Sequence, residues 1–213
     1  GDDRVCGVKG HDEAKTKFNI NAKIVIDAGG RNSVSLRRLN LRKNSSGKGK
    51  VALAAHWEDI NILGNYCYMH ISHPGYTGIA PVGDNRANVV LVVDKTCLIG
   101  ENVDNYFMRT VLKNKLRREI LGAGRPAEKA RVIGSLAYAV KTPQCGGLLL
   151  VGDATGFIDP FTGEGIYLSL RSSQLASDVV KSAFDRYDFS KDRLEIYDRI
   201  RRKEFKKKII LSK

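Results

Sequence analysis

Apolar positions along this chain follow two periods. Ile24–Ile26 and Leu148–Val151 are compact apolar runs bounded by turn residues, as buried strands are. Each run leads into an aspartate, Asp27 after Ile26 and Asp153 after Val151-Gly152. Past Asp153 lies a loop holding Pro160, Gly163 and Gly165. From there Ile166, Leu168, Leu170, Leu175, Val179, Val180 and Phe184 fall at helical spacing. Gly29-Gly30 predict a turn after Asp27, and Ser33 is placed to cap a helix that starts near Val34. Two strand–loop–helix units result, each with a carboxylate at the strand end. In open α/β sheets ligands bind at that end of the strands. A helix start adds free N–H groups and a positive dipole end, which favour an anionic group.

The stretch between these units reads differently. Residues 51–58, 66–72, 76–82 and 87–94 predict four strands, with His73-Pro74-Gly75 and Gly83-Asp84-Asn85 as turns. Strands this close imply an antiparallel sheet. One helix is expected over 102–121, with Tyr106, Val111, Leu112, Leu116, Ile120 and Leu121 as its apolar set. The loop GAGRP and a return segment over 131–141 follow. Residues 43–50, KNSSGKGK, read as a polar linker. The start of the chain predicts a hairpin-type pair of strands leading into Ile24. The expected division is 1–42 and 146–186 as one α/β domain, 43–145 as an inserted sheet domain and 187–213 as a basic C-terminal helix.

Charge changes the picture at the C-terminal end. The net charge is +13, and residues 199–208, RIRRKEFKKK, are its densest basic stretch. Leu194, Tyr197, Ile200 and Phe205 give this segment an apolar stripe, so it predicts an amphipathic basic helix. No nucleic-acid-binding module accompanies it, so no nucleic-acid partner is expected. Peripheral contact with an anionic membrane surface is one expectation, and packing back on the α/β domain is the other. No apolar run reaches about 18 residues, the length a spanning helix needs. Cys6, Cys67, Cys97 and Cys145 are scattered without a C-x-x-C pair, which disfavours zinc and iron–sulfur sites and fits reduced thiols of a cytoplasmic protein. No metal site is expected from His11, His56, His70 or His73.

The composite Gly152-Asp153-Ala154-Thr155-Gly156, then Pro160, Gly163-Glu164-Gly165-Ile166, placed on strand, loop and helix, resembles the second flavin-contacting motif of a family of FAD-dependent enzymes. That family includes para-hydroxybenzoate hydroxylase and the geranylgeranyl reductases. The resemblance implies that Asp153 bonds the ribityl chain of FAD and that the helix start at Gly163–Ile166 lies against the pyrimidine edge of the flavin. Residues 22–38, AKIVIDAGGRNSVSLRR, resemble the family's middle motif, A-D-G-x-x-S, and add Asp27 and Gly30 to the implied cofactor side. Gly29 stands where the motif has aspartate, while Gly30, Arg31 and Ser33 match. FAD is the implied cofactor and NAD(P)H a candidate reductant. No G-x-G-x-x-G fingerprint is present, so the 213 residues are expected to be the central and C-terminal portion of a longer flavoprotein, without its first Rossmann unit.

In the family an inserted sheet covers the flavin and shapes the substrate cavity. The phrase GYTGIAPVGDNRANVVLVVD resembles prenyl-reductase-like members, whose sheet carries an aromatic-x-Trp-x-Phe-Pro signature. Tyr76 and Pro81 match it, and Gly78 and Ala80 hold its two bulky positions. These four, with Trp57, are the substrate candidates. Flavin halogenases carry a signature with two tryptophans, and this chain has one. The expected fold is α/β, an incomplete three-layer FAD-binding domain with an inserted antiparallel sheet. The expected function is oxidation or reduction of an apolar small molecule, prenyl or quinone-like, through flavin N5. A flavin monooxygenase acting on an aromatic or polyketide-like substrate is the alternative, and a non-catalytic partner subunit a third reading. No side chain stands out as an acid–base catalyst.

Overall fold

A computed structural model describes residues 3–43, 49–61, 64, 66–157 and 159–211. Most of the expected linker at 43–50 lies outside them. The chain divides into two compact units, Gly1–Asn44 with Ala137–Lys213, and Ser45–Leu136. The second crossing falls just after Leu136, nine residues before the expected boundary at 145, and returns residues 137–145 to the first unit.

The first unit begins with an antiparallel pair, β1 (Gly7–His11) and β2 (Lys17–Asn21). Then come β3 (Val25–Asp27) and α1 (Val34–Arg38). Ser33 caps α1, its Oγ accepting from the Leu36 N–H at 3.1 Å.

The second unit carries a six-stranded antiparallel sheet. Its members are β4 (Lys50–Glu58), β5 (Tyr68–Ser72), β6 (Gly75–Gly83), β7 (Arg86–Asp94), β8 (Arg125–Pro126) and β9 (Arg131–Leu136), in the order β5-β6-β7-β4, with β8 and β9 both on β4. The β6–β7 turn puts Asp84 and Asn85 at φ 50° and 53°, the left-handed pair that a two-residue hairpin needs. Alternation along β4 sends Val51, Leu53, Ala55 and Trp57 into one core with Val89, Leu91 and Val93 of β7. That core is closed by two helices, α2 (Val103–Lys113) and α3 (Lys115–Leu121), through Phe107, Val111, Ile120 and Leu121.

The sequence predicts one helix over these residues; the structure has two. Asn114 takes an extended backbone and caps α3, its side chain accepting from the Arg117 N–H at 3.2 Å. The last carbonyls of α2, left without helical donors, are taken up by the next two arginines. Arg117 donates to Val111 and Thr110 carbonyls, both at 2.7 Å, and Arg118 to those of Leu112 and Lys113 at 2.7 and 3.0 Å.

Back in the first unit, β10 (Tyr138–Ala139), β11 (Leu148–Leu150) and β12 (Gly156–Phe157) precede two helices of 21 residues each, α4 (Gly165–Asp185) and α5 (Lys191–Leu211). β11 pairs with β3 in parallel, Leu150 opposite Asp27. This short sheet is a middle layer. Leu149 faces α4 and α5 with Leu175, Val179, Leu194 and Tyr197. Leu148 and Leu150 face the other way, onto Leu36, Leu41, Tyr138 and Cys145. The α/β class with an inserted antiparallel sheet is therefore the observed one.

Two apolar stripes differ from expectation. In α4 the buried residues are Ser172, Leu175, Ala176, Val179 and Ala183, while Ile166 (78 % exposed), Leu170 and Phe184 face outward. In α5 the inward stripe is Leu194, Tyr197, Arg201 and Phe205, and Ile200 is exposed. The apolar side of the basic helix thus packs against α4, and Arg199, Arg202, Lys203 and Lys206 are exposed on its outer face. Among the described residues no helix is long and apolar enough to cross a membrane.

Candidate functional site

The two strand ends stand side by side, and their aspartates do different work. Asp27 Oδ1 accepts from the Gly29 N–H at 2.8 Å; Oδ2 accepts from Ser33 Oγ at 2.7 Å and the Ser35 N–H at 3.0 Å. Burial works to raise the Asp27 pKa, but the bonds from Ser35, Ser33 and Gly29 outweigh it, and the carboxyl sits below its ordinary value. Asp27 therefore holds the turn after β3 and the start of α1, with both oxygens engaged by its own loop. It was expected on the cofactor side; the geometry makes it the brace beneath it.

Asp153 is the opposite case. Gly152 leaves β11 in the left-handed region, φ 57°, where a Cβ would also come within 3.0 Å of Ser169 Oγ. Its N–H donates to Ser172 Oγ on α4 at 2.9 Å, which pins the loop to the helix. Asp153 follows in a short 3₁₀ turn, Gly152–Thr155. Its backbone carbonyl accepts from Tyr138 Oη at 2.7 Å. Among the described residues no hydrogen bond reaches its carboxylate; burial raises its pKa and the Arg31 guanidinium opposes that rise. Arg31 itself lies over the rings of Tyr138 and Phe157, 5.9 and 5.3 Å from their centroids. Gly30 closes the other side: a Cβ there would stand 4.0 Å from Asp153 Cβ.

Beyond Asp153 the chain makes a second 3₁₀ turn, Pro160–Thr162, capped by Asp159, whose carboxylate accepts from the Phe161 N–H at 3.1 Å. Gly163 ends it at φ 69°. α4 then starts at Gly165, with Glu164 at its N-cap and no side chain capping it. The Glu164 carboxylate is bonded by the Lys208 ammonium of α5, which also lies 4.6 Å from the Tyr167 ring centroid. A Cβ added at Gly163 or Gly165 meets nothing within 4 Å. The space left there belongs to a cavity of about 450 Å³, lined by Gly152, Asp153, Pro160, Glu164, Ile166 and α5 residues among others. Seven of the nine sequence-predicted cofactor residues line this one cavity: Gly152, Asp153, Pro160, Gly163, Glu164, Gly165 and Ile166. The sequence reading missed Tyr138, Arg201 and Phe205, which come from distant segments and carry no local motif, and Phe157, which sits at an unspecified position inside the motif itself.

No family profile matches the chain. A digeranylgeranylglycerophospholipid reductase of Thermoplasma acidophilum is 30 % identical over 200 residues, which cover 89 % of this chain and 48 % of the relative. The chain belongs to the superfamily of FAD-dependent oxidoreductases that holds para-hydroxybenzoate hydroxylase and the geranylgeranyl reductases. It spans about half the length of the curated relatives it matches. Two solved structures of the superfamily carry the same fold. The myxobacterial chondrochloren halogenase superposes with a TM-score of 0.81 at 19 % identity, over 95 % of this chain and 49 % of its own. A geranylgeranyl bacteriochlorophyll reductase-like protein of Thermoplasma acidophilum gives 0.77 at 24 % identity, over 96 % of this chain and 52 % of its own.

The superfamily's sheet residues lie in the second unit, and they do not share a face. Tyr76, Gly78 and Ala80 alternate onto the side opposite α2 and α3, with Val90 and Asn88 of β7 beside Gly78 and Ala80. Trp57 and Pro81 lie on the helix side, both in register with Ala87. Trp57 is wholly buried in that core. It is a packing residue, which corrects the expectation of a substrate contact. Over Gly78 the sheet is open, for a Cβ there meets nothing within 4 Å.

Proposed function

We propose that the protein holds FAD in the cavity beside Asp153 and uses it to oxidise or reduce an apolar small molecule. The observation that carries this reading is the pairing of a desolvated, unbonded carboxylate with an open, glycine-lined helix start. The residues present fit the cofactor. Asp153 offers two acceptor oxygens for ribityl hydroxyls. The free N–H groups at the start of α4, with the dipole of a 21-residue helix behind them, suit the electron-rich pyrimidine edge. Gly163 and Gly165 leave room for a flat ring where any side chain would intrude.

FAD, when bound, supplies hydride or electron transfer through its N5. The chain's own groups bind and orient. Ser172 anchors the preceding Gly152 N–H and Tyr138 the Asp153 carbonyl, which together hold the loop that carries Asp153. Tyr138, whose phenol is raised by burial and by the Asp153 charge, stays protonated and keeps donating to the Asp153 carbonyl. Lys208 holds Glu164 back on α5, so the mouth of the helix start carries no free carboxylate from that residue.

For the substrate, the open face of the six-stranded sheet supports an apolar, prenyl or quinone-like class. Ala54, Gly78, Ala80 and Val90 are part-exposed on that face and make it mostly apolar, with room over Gly78. The test is the absorbance spectrum of the purified full-length protein, with the flavin identified after release. It is followed by stopped-flow reduction and reoxidation of that flavin against prenyl, quinone and small acidic compounds. A bound FAD that turns over fastest with the apolar compounds is the expected result. Gly78→Trp should slow the bulky substrates and leave FAD in place. A preference for small acids, or FAD lost from Gly78→Trp, would remove the basis for the substrate assignment.

A further inference from the structure

The buried side of α5 holds two charged residues, Asp198 and Arg201. Arg201 stands between Tyr197 and Phe205 where an apolar residue would be ordinary, and it is 9 % exposed. Its Nη2 donates to Asp198 Oδ1 at 3.2 Å. Its Nε is buried with no hydrogen-bond partner among the described residues. Native proteins seldom leave a buried donor of a cation in that state, and each such case asks for a missing acceptor. Arg201 also lines the cavity that holds Asp153 and the α4 start, where Phe205, Arg202 and Lys43 are its neighbours in the lining. Arg202 donates to Thr142 Oγ1 at 2.6 Å, and neither it nor Lys43 is paired with a carboxylate among the described residues. Asp153, Asp159 and Glu164 line the cavity too; of these, Glu164 is neutralised by Lys208.

We propose that Arg201, assisted by Lys43 and Arg202, forms a phosphate-binding subsite of this cavity. A guanidinium is a planar fork of donors that matches phosphate oxygens, and it is weakly enough hydrated to work when buried. Arg201 has a donor to give, is held by Asp198, and has two further cations nearby to balance a dianionic group. The phosphate has two sources, the pyrophosphate of FAD itself or a phosphate on a second ligand. The subsite deepens the FAD reading of the same cavity and rests on it.

The experiment compares the full-length protein with its Arg201→Lys variant, which keeps the charge opposite Asp198 and removes Nε. Each is titrated with FAD, with riboflavin, which has no phosphate, and with inorganic pyrophosphate added to the FAD-loaded form. If the cofactor supplies the phosphate, the variant should bind FAD about tenfold or more weakly, the range for a charged hydrogen bond, and riboflavin as before. If a second ligand supplies it, FAD affinity should hold and pyrophosphate affinity should fall by that factor. Equal affinities of both proteins for FAD and pyrophosphate would overturn the subsite. So would equal losses for FAD and riboflavin, which mark a cavity that has merely lost its shape. Should Arg201→Lys fail to fold, Lys43→Ala with Arg202→Ala, both exposed positions, should weaken the same phosphate-dependent binding several-fold; an unchanged double variant overturns the subsite. A wild type that ignores FAD but binds pyrophosphate through Arg201 would sink the FAD reading and leave the subsite standing.

Discussion

Asp27 and Asp153 end neighbouring parallel strands, and their surroundings have opposite effects. Around Asp27, three donors from one short loop converge on the carboxylate and lower its pKa. Around Asp153, the loop is held by its backbone and by Gly152, Ser172 and Tyr138, and the carboxylate is left desolvated with a raised pKa. The contrast separates a group that builds the site from one that serves it. A carboxylate already satisfied by its own loop has little left for a ligand. One that burial penalises gains most when a ligand arrives with hydroxyl donors.

The largest effect should come from removing the brace. Asp27→Ala leaves the Gly29 and Ser35 N–H groups and the Ser33 hydroxyl without their acceptor, and we expect a loss of about 2–3 kcal/mol of unfolding free energy, the range for charged hydrogen bonds that are partly buried. Chemical denaturation of the full-length protein measures it. A loss under about 0.5 kcal/mol, the scale of ordinary surface changes, would mean that the Asp27 bonds organise nothing.

Asp153→Ala should do the reverse: it should leave unfolding free energy unchanged or higher, and weaken FAD binding by about 1.5–3 kcal/mol. The comparison breaks if both aspartates give the same pair of effects. A smaller change sharpens it on the structural side. Ser33 both donates to Asp27 and caps α1, so Ser33→Ala should cost about 1 kcal/mol of stability, with flavin affinity moving far less than in Asp153→Ala.

Much of the Asp153 site was legible because it is local. Residues 152–166 lie consecutively, and each feature, strand end, left-handed glycine and uncapped helix start, follows from its own residue type. The Asp27 bonds were half legible: Ser33 showed as a cap, but nothing in the sequence said that the aspartate would turn inward to it. Arg201 was hidden, because Ile200 and Arg201 fit the α5 stripe equally well by spacing and hydropathy favours the wrong one. The helix break at Asn114 was masked by an unbroken apolar pattern, although asparagine's preference for caps was the signal available. Trp57 required the register that sets it opposite Ala87, and strand pairing is a long-range property that no local window holds.

The smallest effect, and the one that reads the contrast most directly, is the pH dependence of stability. Both aspartates have an ordinary pKa of 3.8 in the unfolded chain. For Asp27 the folded value is lower, so its contribution is fully present above 3.8 and is lost as pH falls through the folded value. For Asp153 the folded value is higher, so between 3.8 and that value the native state holds the extra proton. Its effect is therefore a decline in stability as pH rises through that window, level again above it. Asp153→Asn should remove that decline and leave the acid-side loss in place. Asp27→Asn should remove the acid-side loss and leave the decline. Unfolding free energies of the flavin-free full-length protein, taken from pH 3 to pH 7 in small steps, compare the two slopes. An Asp153→Asn profile parallel to the wild type above 3.8 would mean that burial at Asp153 is not what sets it apart from Asp27.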